Sequence, residues 1–219
     1  MAARPPVITI DGPAGAGKST VARRLAQELG FRFLDTGAMY RAFTWAALER
    51  GVNLKDPAAL VRLIQGSALE FERGRVLLDG WDITDEIRAE RITKNAAFLA
   101  DPPPVRAELV RLQREIGRAG GLVTEGRDQG TVVFPDAEHK FYLDASIDVR
   151  AGRRLKELEQ RGEVAAGVRE GIAERDERDR KREVGALRIP EGAIKVDTSN
   201  RSVDEVVAEL RRYIQGTGS

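Results

Sequence analysis

The run Gly12-Pro13-Ala14-Gly15-Ala16-Gly17-Lys18-Ser19 carries the plainest chemistry in the chain. It fits G-x-x-x-x-G-K-[ST], the spacing of a phosphate-binding loop. Glycines let successive backbone N–H groups turn toward one anion, and the following helix adds the partial positive charge of its N-terminus. In such a loop Lys18 reaches the β- and γ-phosphates, the Ser19 hydroxyl holds Mg2+, and Thr20 leads into the helix. The motif works only between a strand and a helix, and both flanks are present. Val7-Ile8-Thr9-Ile10 is a β-branched run of the buried-strand kind, and Val21, Leu25 and Leu29 recur at helical spacing before Gly30. An ordinary glycine-rich turn is the competing reading, and the two flanks argue against it. The expected ligand is a nucleoside triphosphate with magnesium.

The other residues exclude several chemistries. There is no Cys, and His139 is the single histidine. Disulfides, thiolate catalysis and zinc–thiolate sites are therefore excluded, and a His-based metal site or a serine triad is not expected. His139, beside Lys140 at a strand start, reads as a surface residue. Charges nearly cancel, with 36 basic and 35 acidic residues in 219, so no overall field favours nucleic acid or an anionic membrane. Of the basic residues 29 are Arg, the side chain suited to bidentate contact with phosphate. A compositional bias toward Arg accounts for many of those at the surface. No apolar run reaches membrane-spanning length, and the first six residues lack the apolar stretch of a secretion signal. The expected location is the cytoplasm.

Such a site needs a frame. The length, with 42% hydrophobic and 32% charged residues, suits one globular domain with an insert. Short apolar runs that end in acidic or small residues point to an α/β fold with a doubly wound parallel sheet, whose ligands bind beyond the strand C-termini. These runs are Val7–Ile10, Phe31–Leu34, Leu122–Thr124 before Glu125-Gly126-Arg127-Asp128, Lys140–Leu143 before Asp144, and Ala193–Val196 before Asp197. Helices are expected over 38–49, over 58–65 behind an Asp56-Pro57 cap, over 85–100 and over 105–118. Leu69–Glu72 and Arg75–Leu78 alternate around Arg73-Gly74, which reads as an antiparallel hairpin and marks an inserted subdomain. Residues 146–182 are dense in charge. They fit either a solvated helical hairpin with i,i+4 ion pairs or an Arg-rich lid over phosphates, and spacing alone leaves both open. Gly216–Ser219 should fray.

A phosphate-binding loop alone fits many functions. A guanine-reading Asn-Lys-x-Asp is absent, which argues against switch GTPases. Motor and transporter ATPases are larger, so a small P-loop kinase remains. Four segments carry a closer likeness: Ile8–Pro13, Asp35-Thr36-Gly37-Ala38-Met39-Tyr40-Arg41, Glu125–Asp136 and Glu174–Arg182. Together they resemble the bacterial cytidylate kinases over about Val7 to Tyr213. The resemblance implies a P-loop NTPase core with a nucleoside-monophosphate-binding insert near 66–105 and a short helical lid near 150–185. It also implies transfer of a phosphoryl group from ATP, with Mg2+, to CMP or dCMP by a monomer, with lid and insert closing to keep water out.

By the same resemblance, Arg41, Arg127 and Arg175 would clamp the acceptor phosphate, with the hydroxyl of Thr36 beside them. Arg106 and Asp128 would read cytosine, the carboxylate accepting from the exocyclic amine. Asp179 and Arg182 would bind the pentose. Arg153 and Arg154 would lie near the ATP phosphates, at least one of them acting as an internal arginine finger alongside Lys18. The chain departs from the pattern twice. Ala97 stands where several members carry a base-contacting Ser, and Gln129 stands where Met is common. The rival readings are a P-loop kinase for uridylate, adenylate or a non-nucleotide alcohol, and a non-catalytic ATP- or RNA-binding regulator.

Overall fold

A computed structural model describes residues 4–72, 74–162 and 166–216. Arg73 of the expected hairpin turn, residues 163–165 of the expected lid and residues 217–219 of the expected frayed end lie outside them. The chain divides into two units, one of residues 1–33 and 119–219 and one of Leu34–Arg118.

In the first unit, strand β1 (Val7–Asp11) is buried along its whole length. It runs parallel to β6 (Leu122–Gly126) on one side and β7 (His139–Asp144) on the other, and β7 runs parallel to β8 (Ile194–Asp197). With β2 (Arg32–Asp35), in which the division between the units falls, the sheet order is β2-β6-β1-β7-β8. Burial on both faces explains the continuous β-branched runs read from the sequence. Helix α1 (Lys18–Leu29) lays Val21, Ala22, Leu25 and Ala26 against Ile8, Ile10 and Val123. Helix α9 (Val203–Gly216) adds Val206, Val207 and Leu210 to the same core. His139, expected at the surface, opens β7 half-buried, and desolvation holds its imidazole below the ordinary value against the opposing charge of Glu138.

Helices α7 (Ile147–Gln160) and α8 (Val168–Lys181) form the charge-dense hairpin, and its outward face carries ion pairs of the solvated-hairpin reading. Outward, Glu177–Lys181, Arg154–Glu157 and Arg169–Asp148 pair at 2.9–3.0 Å in exposed positions. Inward, Ile172, Asp176 and Asp179 make up the buried stripe of α8.

In the second unit, Asp35 caps α2 (Thr36–Glu49) by accepting the Ala38 N–H at 2.7 Å. Asp56 caps α3 (Pro57–Gln65) in the same way. The expected hairpin is the first pair of a three-stranded antiparallel sheet, β3 (Leu69–Glu72), β4 (Arg75–Leu78) and β5 (Trp81–Asp82). Its second turn is Asp79-Gly80, both at positive φ (50° and 81°), the conformation favoured between paired strands.

The single helix expected over 85–100 is instead a 3-10 turn (Glu86–Arg88) followed by α4 (Glu90–Asn95) and α5 (Ala97–Ala100). Its buried residues are Ile87, Ile92 and Leu99. On one continuous helix Ile92 and Leu99 would project roughly 120–140° away from Ile87. Breaking the helix turns all three inward. Helix α6 (Pro103–Gly117) completes the unit, starting at a Pro in the first turn.

Candidate active site

Because β1, β6, β7 and β8 are parallel, their C-terminal residues Asp11, Gly126, Asp144 and Asp197 meet on one edge. The phosphate-binding loop leaves β1 there. Gly12 has φ 147°, and a Cβ at that position would stand 1.9 Å from the Leu143 carbonyl oxygen, so only glycine lets the loop pass this close to β7. Gly17 caps α1 at φ 85°, leaving the first N–H groups of the helix directed into the loop.

Lys18 is buried, donates to the Pro13 carbonyl at 2.7 Å and lies 4.0 Å from Glu125. Burial, then the nearby Arg127 and Arg175 charges, hold its ammonium well below the ordinary lysine value, with Glu125 opposing. Ser19 Oγ donates to Glu125 Oε1 at 2.8 Å. A hydroxyl and a carboxylate oxygen set side by side fit a hard divalent cation. Mg2+ brought in with a nucleotide would take its other ligands from phosphate and water.

Arg127, just beyond β6, donates from Nε to Asp179 at 2.8 Å, and Arg182 donates to the other oxygen of the same carboxylate at 2.7 Å. Burial opposes ionisation of Asp179, yet the Arg127, Arg182 and Arg175 charges together hold it below the ordinary carboxylate value. Arg175 itself is exposed on α8. Asp128 is buried and opens a single π-helical turn, Gln129–Val133, its carbonyl accepting from both Val132 and Val133. Such turns recur at functional sites. The Gln129 side chain is buried and accepts from Thr124 at 2.8 Å. In place of the common Met, it ties the turn to β6.

Arg153 donates to the Gly15 carbonyl at 3.3 Å and to the Thr198 carbonyl at 2.6 Å. Arg154, one-third exposed, pairs with Glu157. Two groups that the sequence reading missed also brace the loop. Thr198 Oγ bonds the Ala16 carbonyl at 3.0 Å, and buried Arg150 donates to the Ala14 carbonyl at 3.1 Å and to Asp176 at 2.6 Å. Thr198 carried only the weak signal of a polar residue just past a strand end. Arg150 and Asp176 carried none, since neither stands out in a stretch where charge is everywhere.

The second unit gathers Thr36, Arg41 and Arg106. Thr36 is buried at the start of α2, and Arg41 lies 3.9 Å from the Asp35 carboxylate. A Cβ on Gly37 would stand 3.0 Å from the Arg41 guanidinium, so the side chain folds over the first turn of α2. Arg106, buried on α6, donates to the Ala100 carbonyl at 3.1 Å and places its guanidinium 5.8 Å from the centre of the Tyr40 ring. Ala97 is half-buried at the head of α5.

A sequence model of the family described as cytidylate kinase matches residues 8–216. The chain belongs to the cytidylate kinase family. A cytidylate kinase of Rhodopirellula baltica is 48% identical over 212 residues, covering 95% of this chain and 92% of its own. A cytidylate kinase of Caldanaerobacter subterraneus subsp. tengcongensis is 45% identical over 210 residues, with 95% and 94% covered. Among solved structures, the shikimate kinase of Acinetobacter baumannii in complex with shikimate matches with TM-score 0.50 at 16% identity, covering 98% of this chain and 95% of its own. That likeness is one of fold, shared by P-loop kinases with different acceptors. The match to cytidylate kinases takes in both units, from the P-loop to the end of α9.

Proposed function

We propose that this cytidylate kinase family member, an ATP-dependent nucleoside monophosphate kinase, phosphorylates CMP and dCMP with the residue roles set out below. ATP with Mg2+ occupies the loop from Gly12 to Thr20, and Thr36, Arg41, Arg127 and Arg175 bind the acceptor phosphate. Arg106 and Asp128 bind the base, and Asp179 and Arg182 the pentose. The observation that supports this most is electrostatic: the Arg127 and Arg175 charges both act against the charge of buried Lys18, and the Glu125 and Asp11 carboxylates oppose them. An incoming polyphosphate and an acceptor phosphate would supply the missing negative charge.

The acceptor is itself an ionised phosphate oxygen, so attack needs no general base. Catalysis is then positioning and charge stabilisation. Lys18 would leave the Pro13 carbonyl for the phosphates, the P-loop N–H groups would hold the β-phosphate, and Ser19 with Glu125 would hold Mg2+. That ion, when bound, spreads the charge of the transferring phosphoryl group. Arg153 and Arg154 neutralise the remainder from α7. The protein acts as a cytoplasmic monomer and engages neither nucleic acid nor membrane.

Arg41→Ala tests the acceptor assignment. Loss of one charge-assisted contact to phosphate is expected to raise KM for CMP about 30-fold while KM for ATP stays within about twofold. An equal rise in both constants would remove Arg41 from the acceptor site.

A further inference from the structure

Asp11 is a buried carboxylate that the roles above leave unassigned. Asp11 ends β1, immediately precedes Gly12 and is fully buried. Oδ1 accepts the Gln129 N–H at 2.8 Å and Oδ2 accepts the Gly130 N–H at 2.7 Å. These are the first two residues of the π-helical turn that Asp128 opens. The first N–H groups of any helical turn have no partner within it, and Asp11 satisfies both from more than a hundred residues away in sequence. Desolvation pushes its carboxyl up to about 7, against these two bonds, while the Lys18 charge favours ionisation and the Asp128 charge opposes it. Asp11 therefore joins the strand that leads into the phosphate loop to the turn that Asp128 opens.

The turn has little room to settle elsewhere. A Cβ at Gly130 would stand 2.8 Å from Pro190 Cγ and 2.9 Å from Thr9 Oγ1, so the backbone is wedged against β1 and the segment before β8. With both oxygens bonded and no exposure, Asp11 is not placed to touch a substrate.

We propose that Asp11 is a positioning residue that fixes the π-helical turn behind Asp128, so that one side chain holds the base-reading carboxylate in register with the phosphate-binding loop. This rests on Asp128 reading the base. Asn at position 11 keeps one acceptor but points an amide N–H at the other backbone donor. The turn then loses one anchor and gains a repulsion.

Steady-state kinetics of the full-length Asp11→Asn variant, at saturating ATP, should show the CMP:UMP ratio of kcat/KM reduced about tenfold, mainly through KM for CMP, with KM for ATP within about twofold. A folded variant with an unchanged ratio overturns the proposal. Amide hydrogen exchange by NMR on the unsubstituted protein gives a second reading that needs no variant. The Gln129 and Gly130 amides should exchange as slowly as those of β1, and exchange as fast as in exposed loops would overturn the proposal. If the unsubstituted protein shows no preference for CMP, Asp128 loses its base-reading role. Slow exchange at these two amides would still support the hold of Asp11 on the turn.

Discussion

Replacing Lys18 by Ala is expected to lower kcat about a thousandfold, the scale on which fixed charges at a transferring group act, without lowering the thermal midpoint. The reasoning joins catalysis to stability. Lys18 is the only side chain of the loop with a positive charge, and it lies buried at the head of α1. Its ammonium donates to the Pro13 carbonyl of its own loop, a bond that a polyphosphate would displace. Burial and the Arg127 charge depress its pKa below the ordinary 10.5, so the folded chain holds this proton less tightly than the unfolded chain does. The charged lysine thus destabilises the fold. The penalty is complete at low pH and fades as pH rises toward 10.5. Removing the side chain removes that penalty, at the cost of an unpaired Pro13 carbonyl and of a cation beside Glu125, which keeps the Ser19 hydroxyl as a donor. Thermal melts at neutral pH and steady-state rates on the same preparation check both halves. A variant with near-normal turnover takes Lys18 out of the mechanism, and one that turns over slowly because it unfolds shows that its role is structural.

The second large effect is expected at the base. Asp128→Asn should collapse the CMP:UMP ratio of kcat/KM about a hundredfold, because a site built around one hydrogen-bonding pattern rejects its reverse strongly. Cytosine presents an exocyclic amine where uracil presents a carbonyl. A carboxylate only accepts, so it pairs with the amine and repels the carbonyl. An amide both accepts and donates, so it pairs with either after rotating. CMP turnover should fall and UMP turnover should rise. Equal losses with both nucleotides would mean that Asp128 holds the turn after Arg127 without reading the base. The result also bears on Ala97. With no hydroxyl at that position, discrimination would depend more heavily on Asp128 and Arg106.

The sequence reveals the two features that local chemistry dictates. The glycine spacing of the P-loop is legible because Gly12 can have no side chain within reach of Leu143. The parallel strands are legible because burial on both faces demands unbroken apolar runs. The bracing of the site was not legible, because it pairs residues far apart in the chain. Arg150 with Asp176, Thr198 with Ala16 and Asp11 with Gln129 are joined across tens to hundreds of residues. Each looks locally like a charged or polar residue of no distinction. The break of the 85–100 segment was hidden for a different reason. Its residues have fair helix propensity, and only the need to turn Ile87, Ile92 and Leu99 to one core overrides it. The Asp79-Gly80 turn carries a recognisable local signal, since an Asp-Gly pair between two strand-like runs favours a tight hairpin turn.

The charge-dense hairpin shows how one stretch supports two readings. Exposed i,i+4 pairs such as Glu177–Lys181 are of the kind that contributes little to stability. The inward Arg127–Asp179–Arg182 group is different, because it orders two arginines in a buried position. Removing its carboxylate would take from both arginines the partner they share. Which charges matter is thus decided by the face of α8 on which they fall, and the sequence alone does not show which face is inward.

The measurement that tests the account most directly is ADP release by the full-length protein with ATP and Mg2+ and, in turn, CMP, dCMP, UMP and AMP at equal concentration. Fast release with CMP and dCMP, and at least about tenfold slower release with UMP and AMP, is the predicted result. Release at similar rates with all four would contradict base reading by Arg106 and Asp128, and no release above the ATP-only background with any of them would contradict the kinase activity itself.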